Sequence, residues 1–470
     1  MGDAPTFTMK IGIVGGGWAG LSAAVTAVRQ GHQVRLFESA AVLGGRARSV
    51  HAPALQADID NGQHILLGAY TATLELMRSL GLAPERQFIR LPLSVASADN
   101  TLEFCAPGRL PAPLHIMAGL MAAKGLSWSE KRAALRAMLH LRSHNWQTPR
   151  NATVQEWLAL TLQPSRLQRL LWAPLCIATL NTPVEHACAQ LFAHVLRDSL
   201  GASRRSFSDM LIPRTTLSEL WPARVEELAQ TGGLTDRPGA SLDILRSTTV
   251  RWLRYANAAK AVDNPPQLTL DDRPEIYDAI VLCGNTPSVA RLLSTLPPIN
   301  GGKEFLDDLL AFKHAPIATL TLELEHTFKL PAPMLLLHED RRRGHYGQWL
   351  FQGQDASSRM LHVVVSDAGD LLQQERPLAI KSMVEQLREQ LAGPALPTIV
   401  RHSLIAEKRA TFLAVPGLKR PGHRTPWPGV WVAGDWTDTG YPGVLEGAVR
   451  SGRDAALAAG ELNRQPAVPQ

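Results

Sequence analysis

Short apolar runs alternate with stretches of helical spacing along this chain, and the first such unit starts near Lys10. Ile11, Ile13 and Val14 form the kind of run that a buried parallel strand requires. Gly15, Gly17 and Gly20 follow at G-x-G-x-x-G spacing. That spacing predicts a tight turn at Gly15, close backbone approach at Gly17 and close helix–strand packing at Gly20. A helix over 21–30 comes next, and Gly31 ends it. Val34, Leu36 and Phe37 predict a second strand with Glu38 at its end. The first eight residues precede this unit and are expected to hang free.

The same reading continues downstream. Residues 277–282 predict another parallel strand, and Thr286-Pro287-Ser288 start a helix through Leu293. Residues 430–433 predict a buried strand closed by Gly434 and Asp435, and 444–460 predict a helix with Glu446 in its first turn. Segments 116–142 and 152–200 show apolar positions at helical spacing, Met117, Met121, Trp157 and Trp172 among them. Such stripes serve either as core or as the wall of a site for a long apolar guest. Residues 317–324 alternate as a half-exposed antiparallel strand does. Further strands are expected at 334–337, 348–351 and 361–365, and an amphipathic helix at 378–391.

These elements predict an α/β protein of two parts. A discontinuous Rossmann-like nucleotide domain takes 10–82, 211–293 and 427–462. A mixed α+β substrate domain takes 83–210 and 294–426, with an antiparallel sheet and a helical cap. No nucleotide-domain piece is complete without the others.

The candidate chemistry lies at the two ends. The N-terminus of the first helix, at Trp18 and Ala19, aims its free N–H groups and dipole at an anion beside Gly15, Gly17 and Gly20. Glu38 suits ribose hydroxyls and repels a 2′-phosphate. Leu43-Gly44-Gly45-Arg46-Ala47-Arg48 offers backbone at Gly45 and charge at Arg46 for phosphate, or else is a basic surface turn. Gly62 and Gln63 lie in a dense polar cluster, Asp60-Asn61-Gly62-Gln63-His64, before an apolar run, which suits a cofactor-facing loop. Asp435 suits a ribityl hydroxyl. The helix start at Val444, Leu445 and Glu446 suits a flavin ring edge, where negative charge builds on reduction. Glu446 has a second reading, as a complement to its own helix dipole. Together the two ends predict one FAD held between them. No cysteine lies in the C-terminal motif, so the FAD is expected to be non-covalent.

These motifs (GGGWAGLSAA, the acid at 38, LGGRARS and a terminal AGDW…EGAVRSG) resemble the FAD-dependent amine oxidase and phytoene desaturase superfamily. DNGQHILLGAY at 60–70, LNTP at 180–183, LIPRTTLSELWP at 211–222 and GDWTDTGYPGVLEGAVRSG at 434–452 are most similar to its hydroxysqualene dehydroxylase branch. The resemblance implies an amine-oxidase-like fold and reductive removal of a hydroxyl from a C30 isoprenoid. It also implies a mid-chain strand touching adenine, for which 241–250 is the candidate segment and Val250 the candidate residue. The reaction needs a proton donor. His64 and Tyr441 lie in the segments expected beside the flavin, with Asp60 a third option. Each has a structural alternative: a loop-orienting hydrogen bond for His64, ring packing for Tyr441. A carotenoid desaturase, an amine oxidase and a non-catalytic flavin-binding scaffold remain as other readings.

Composition adds limits. The 470 residues carry 45% apolar content, enough for two packed domains. No run of apolar residues reaches a membrane span. Cys105, Cys176, Cys188 and Cys283 show no paired spacing, which predicts reduced thiols and no metal site. The net charge of +6 fits an anionic membrane surface better than nucleic acid, since no nucleic-acid motif accompanies it. The densest basic run, 341–343, is either a solvated turn or a docking point. A cytoplasmic protein, peripheral on the inner face of the membrane and associated with prenyl-transfer enzymes, is the expectation. The electron donor is left open.

Overall fold

The computed structural model describes residues 8–256, 267–353 and 359–461. The extreme N-terminus, expected to hang free, and the last residue of the 427–462 segment lie outside the described residues.

Five parallel strands form the central sheet. Their spatial order is Ser241–Leu245, Gln33–Phe37, Lys10–Val14, Ala279–Leu282, Val430–Val432. In chain order this is 3-2-1-4-5, the doubly wound arrangement whose crevice opens where the order reverses, at the carboxyl ends of the first and fourth strands. Ile11, Ile13, Ala279, Ile280, Val281 and Leu282 are fully buried, as both-face coverage of a parallel sheet requires. Strands from the beginning, middle and end of the chain therefore share one sheet.

Trp18–Gln30 and Leu445–Gly460 are its principal helices, packed against each other. Glycine makes that contact possible, since a Cβ on Gly452 would collide with the Ala19 carbonyl; Gly20 in turn lets the first helix close on the turn before it, where a Cβ would collide with the Gly15 carbonyl. Gly31 ends the first helix at φ 101°, as its position predicted.

A second sheet is antiparallel throughout, in the order Met334–Leu336, Trp349–Gln352, Met360–Ser366, His314–Leu324, Ile399–Phe412. The expectation of a half-exposed strand at 317–324 is corrected. Leu320, Leu322 and Leu324 pack toward the Arg376–Gln390 helix through Met383 and Leu387. The polar face is buried too: Thr321 bonds His362, and Glu323 pairs with Arg359 and Arg401. The strand is central, with neighbours on both sides, so both faces are covered. Ile399–Phe412 is an element the sequence reading did not foresee.

Helices over 114–122, 128–143, 154–160, 173–180 and 189–199 form the cap, with Trp157, Trp172 and Phe192 in edge-on contact at its centre. Leu66–Leu67, Met210–Pro213 and Phe88–Leu91 make a small antiparallel sheet at the join. The basic run 341–343 is a short 3₁₀ turn. Arg341 pairs with Asp370 at 2.6 Å and with Glu339, and Arg343 pairs with Glu389 at 2.6 Å. These ion pairs leave Arg341 and Arg343 poorly suited to docking.

Candidate functional site

The crevice predicted at the strand-order reversal is built by three loops. Gly15 has φ 111°, and a Cβ there would lie 3.0 Å from the Cys283 carbonyl carbon, so the first and fourth strands meet where only glycine fits. The Gly44 N–H donates to the Gly16 carbonyl at 2.9 Å. Gly45 has φ 64°, and a Cβ there would lie 2.9 Å from the Gly17 Cα. The two glycine segments thus stack backbone to backbone.

The start of the first helix is the strongest sign of a ligand. Gly17 provides no side-chain cap, and the first turn contains no acid. Trp18 and Ala19 are buried there. A buried helix N-terminus without a side-chain cap is the donor set a pyrophosphate satisfies. The Trp18 side chain is engaged otherwise: its indole N–H donates to the Ala47 carbonyl and its ring meets Trp221 edge-on at 5.0 Å. Trp18 and Ala19 therefore offer backbone, not side chains.

Glu38 closes one end of the crevice. One of its oxygens accepts from the Gly16 N–H at 2.6 Å, the other from the Ala40 N–H at 2.7 Å. The carboxylate is held rigid with lone pairs to spare for diol hydroxyls. The Thr248 N–H donates to the Glu38 carbonyl at 2.8 Å. That bond lays the loop before Val250 along the same end, while the Val250 side chain is buried in the core.

At the other end Arg46 pairs with Asp435 at 2.6 Å and donates to the Ala410 carbonyl. Burial works against the Arg46 charge, but the Asp435 carboxylate outweighs it and holds the guanidinium pKa above its ordinary value. Asp435 is buried while the Arg46 side chain is 38% exposed, so the arginine retains an open side for an anion. Gly434 donates to the Ser451 hydroxyl, locking the strand end to the C-terminal helix. Val444 precedes that helix without a side-chain cap, and Leu445 begins it. This second uncapped N-terminus has the polarity that a reduced flavin edge requires.

Glu446 is a correction. Its carboxylate is fully buried and accepts from the N–H groups of Ala72 and Thr73 and from the Thr73 hydroxyl, at 2.8–3.0 Å. Arg450 pairs with it at 2.8 Å. It therefore caps the Thr71–Ser79 helix and is no side-chain ligand for a cofactor.

The two candidate proton donors do not meet. His64 and Gln63 line an open cavity of about 250 Å³, with Asp60, Ile65, Ile89, Ile212 and Phe351 around them. Gly62 is buried, and its carbonyl fixes the His64 ring at 2.8 Å from Nδ1. Burial, with Arg46 adding to it, lowers the His64 pKa against the raising effect of that carbonyl. Tyr441 lines a separate cavity with Thr71, Arg197, Asp198 and Arg450. Its hydroxyl donates to Asp198 at 2.8 Å, and burial followed by Asp198 raises its pKa. Asp60 accepts from the Ser49 hydroxyl and the Leu217 N–H.

Several residues at this end escaped the sequence reading. His314 feels Arg46, Arg409 and Asp435, and burial first and then the arginines lower its pKa. Asn181, left-handed at φ 48°, donates to Thr411 and accepts from the Asp367 N–H. The Nε of Arg48 is buried without a hydrogen-bond partner. The LNTP match could have singled out Asn181 and the LGGRARS match Arg48, but no local pattern marks His314.

The residues present thus fit FAD: two uncapped helix starts, a fixed carboxylate and an arginine with an open side. The sequence model of the family described as flavin containing amine oxidoreductase matches residues 18–459. The chain is 29% identical to hydroxysqualene dehydroxylase of Rhodopseudomonas palustris over 95% of its length and 98% of that protein. It is 26% identical to hydroxysqualene dehydroxylase of Zymomonas mobilis subsp. mobilis, over 94% of its length and 97% of that protein. Among solved structures, cyclohexylamine oxidase of Brevibacterium oxydans superposes with a TM-score of 0.68 at 17% identity, over 98% of this chain and all of that one. This chain belongs to the flavin containing amine oxidoreductase family and is an FAD-dependent oxidoreductase.

Proposed function

We propose that the protein removes the hydroxyl of hydroxysqualene reductively, giving squalene, with FAD held non-covalently. The observation that carries this reading is the likeness along nearly the whole chain to two hydroxysqualene dehydroxylases. The cavity beside His64 supports it, because Ile65, Ile89, Ile212, Leu330 and Phe351 make an apolar wall around a few polar groups. A long hydrocarbon lies against such a wall, and one hydroxyl meets the polar end.

His64 is the proton donor in this reading. Its Nδ1 is held by the Gly62 carbonyl, which leaves Nε2 for the substrate hydroxyl. A lowered pKa makes the imidazolium scarcer at neutral pH but a stronger acid. The proton leaves with the hydroxyl as water, and an allylic carbocation remains. Reduced FAD, when bound, supplies the hydride that replaces the hydroxyl. The apolar wall keeps water from recapturing the cation. Tyr441, donating to Asp198 in another cavity, takes no part.

The test is a single-turnover reaction without oxygen. Protein reduced by dithionite is mixed with hydroxysqualene, and the flavin band and the extracted product are read together. Reoxidation with squalene formed supports the proposal. Flavin that stays reduced with hydroxysqualene intact overturns it, and oxidised protein is then offered phytoene-type and amine substrates.

A further inference from the structure

The helix Leu114–Ala122 has an apolar outer face. It reads LHIMAGLMA, and its one polar side chain, His115, points inward to the Ser208 hydroxyl at 2.8 Å. The inner face is fixed close to the strand Glu103–Cys105: a Cβ on Gly119 would lie 2.8 Å from the Cys105 carbonyl oxygen. The opposite face carries Leu114 and Met117 at i and i+3, which are 50% and 40% exposed. A surface helix with polar groups only on its buried side is inverted relative to the ordinary pattern.

The surroundings say what covers it. Trp128 begins the next helix and is 66% exposed, with the Lys131 ammonium over its ring. Lys131 also donates to the Met121 carbonyl, joining the two helices. Between residues 103 and 136 the chain has five basic side chains and two carboxylates. Both carboxylates are engaged, Glu103 by Lys124 and Glu130 by Arg166. Arg109 and Arg132 are exposed and have no carboxylate partner among the described residues. An apolar face with an exposed tryptophan and a rim of unpaired cations matches the acyl boundary and headgroups of an anionic bilayer.

We propose that the outer face of Leu114–Ala122, with Trp128, is the surface by which the protein rests on an anionic lipid bilayer. This places membrane contact at a defined helix and away from the ion-paired run at 341–343. It stands independently of the substrate.

The test uses purified holoprotein and extruded vesicles, with no substrate. Wild type should sediment with vesicles of phosphatidylcholine and phosphatidylglycerol, and far less with phosphatidylcholine alone. L114D/M117D should lose binding by about tenfold or more. Arg132→Glu should lose roughly fivefold or more at low salt, with the difference shrinking at high salt. Brominated lipids should quench wild-type fluorescence, and Trp128→Phe should remove most of that quenching. Leu310→Asp, at an exposed leucine elsewhere, should bind as wild type does. Unchanged flavin content and thermal midpoint establish that each variant is folded. Three results overturn the proposal: wild type that ignores anionic vesicles, L114D/M117D that sediments like wild type, and a dimer that these substitutions dissociate without any vesicle binding.

Discussion

At the scale of single residues, Glu446 and His64 show how neighbours decide a role. Glu446 satisfies two backbone donors and a hydroxyl of another helix from a fully buried position. Glu446→Gln replaces an acceptor oxygen with an NH₂ that faces those donors and leaves Arg450 without its carboxylate partner, though still bonded to Thr71. Urea denaturation should show a loss of about 2–4 kcal/mol, with the flavin spectrum of the folded protein unchanged. A flavin ligand would give the opposite outcome: shifted flavin potential and unchanged stability. His64 makes a prediction in pH. Its folded pKa lies below the ordinary value, so a required imidazolium makes kcat/KM rise as pH falls through and below about 6.5. His64→Gln should lower kcat and flatten that limb. A pH profile that keeps its limb in the variant assigns the proton to another group. The identity of each residue was readable beforehand, but its partner was not: Arg46 and Asp435 are 389 positions apart.

At the scale of elements, local spacing was enough wherever the governing contact is local. The strand–glycine–helix–strand unit at 10–37 and the Thr286–Leu293 helix, capped by Asn285, formed where their spacing placed them. Ile399–Phe412 did not announce itself because polar and charged residues recur through it. Its stability comes from the long pairing with His314–Leu324, which no local pattern records. That same sheet holds His362, buried and bonded to Thr321, with its pKa lowered to about 4 by burial. In the unfolded chain the value is about 6.5. Above 6.5 both states are neutral. Below it the unfolded chain binds the proton first, so stability falls as pH drops toward 4, by on the order of 3 kcal/mol. Denaturant midpoints across this window should be flatter for His362→Leu than for wild type. Where two elements touch through glycine, tolerance is small. Gly452→Val should push the C-terminal helix off the Ala19 carbonyl, lower the thermal midpoint and reduce copurifying flavin, whereas the Gly369→Ala control sits in open space and should retain its flavin.

At the scale of the whole molecule, the parallel sheet joins segments from three regions of sequence around one crevice. Flavin bound in that crevice would hold the ends of the chain together as much as it equips the site. Free FAD at a hundredfold excess over its Kd should stabilise the folded form by about 2.7 kcal/mol. Calorimetry of flavin-depleted protein titrated with FAD should show the midpoint climbing with ligand. A midpoint indifferent to FAD would mean that the crevice closes without it. Among the described residues no helix is long and apolar enough to cross a membrane.

The order of the five strands also bears on how the protein is made. Val430–Val432 is the edge strand beside Ala279–Leu282, and Leu445–Gly460 is the helix against which Trp18–Gln30 packs. A ribosome delivers both more than four hundred residues after the glycine turn has emerged. At about 5–20 residues per second that interval is roughly 20–80 s. Throughout it the nascent first helix lacks the late helix that covers its flank in the folded protein, and the five-stranded sheet is one strand short.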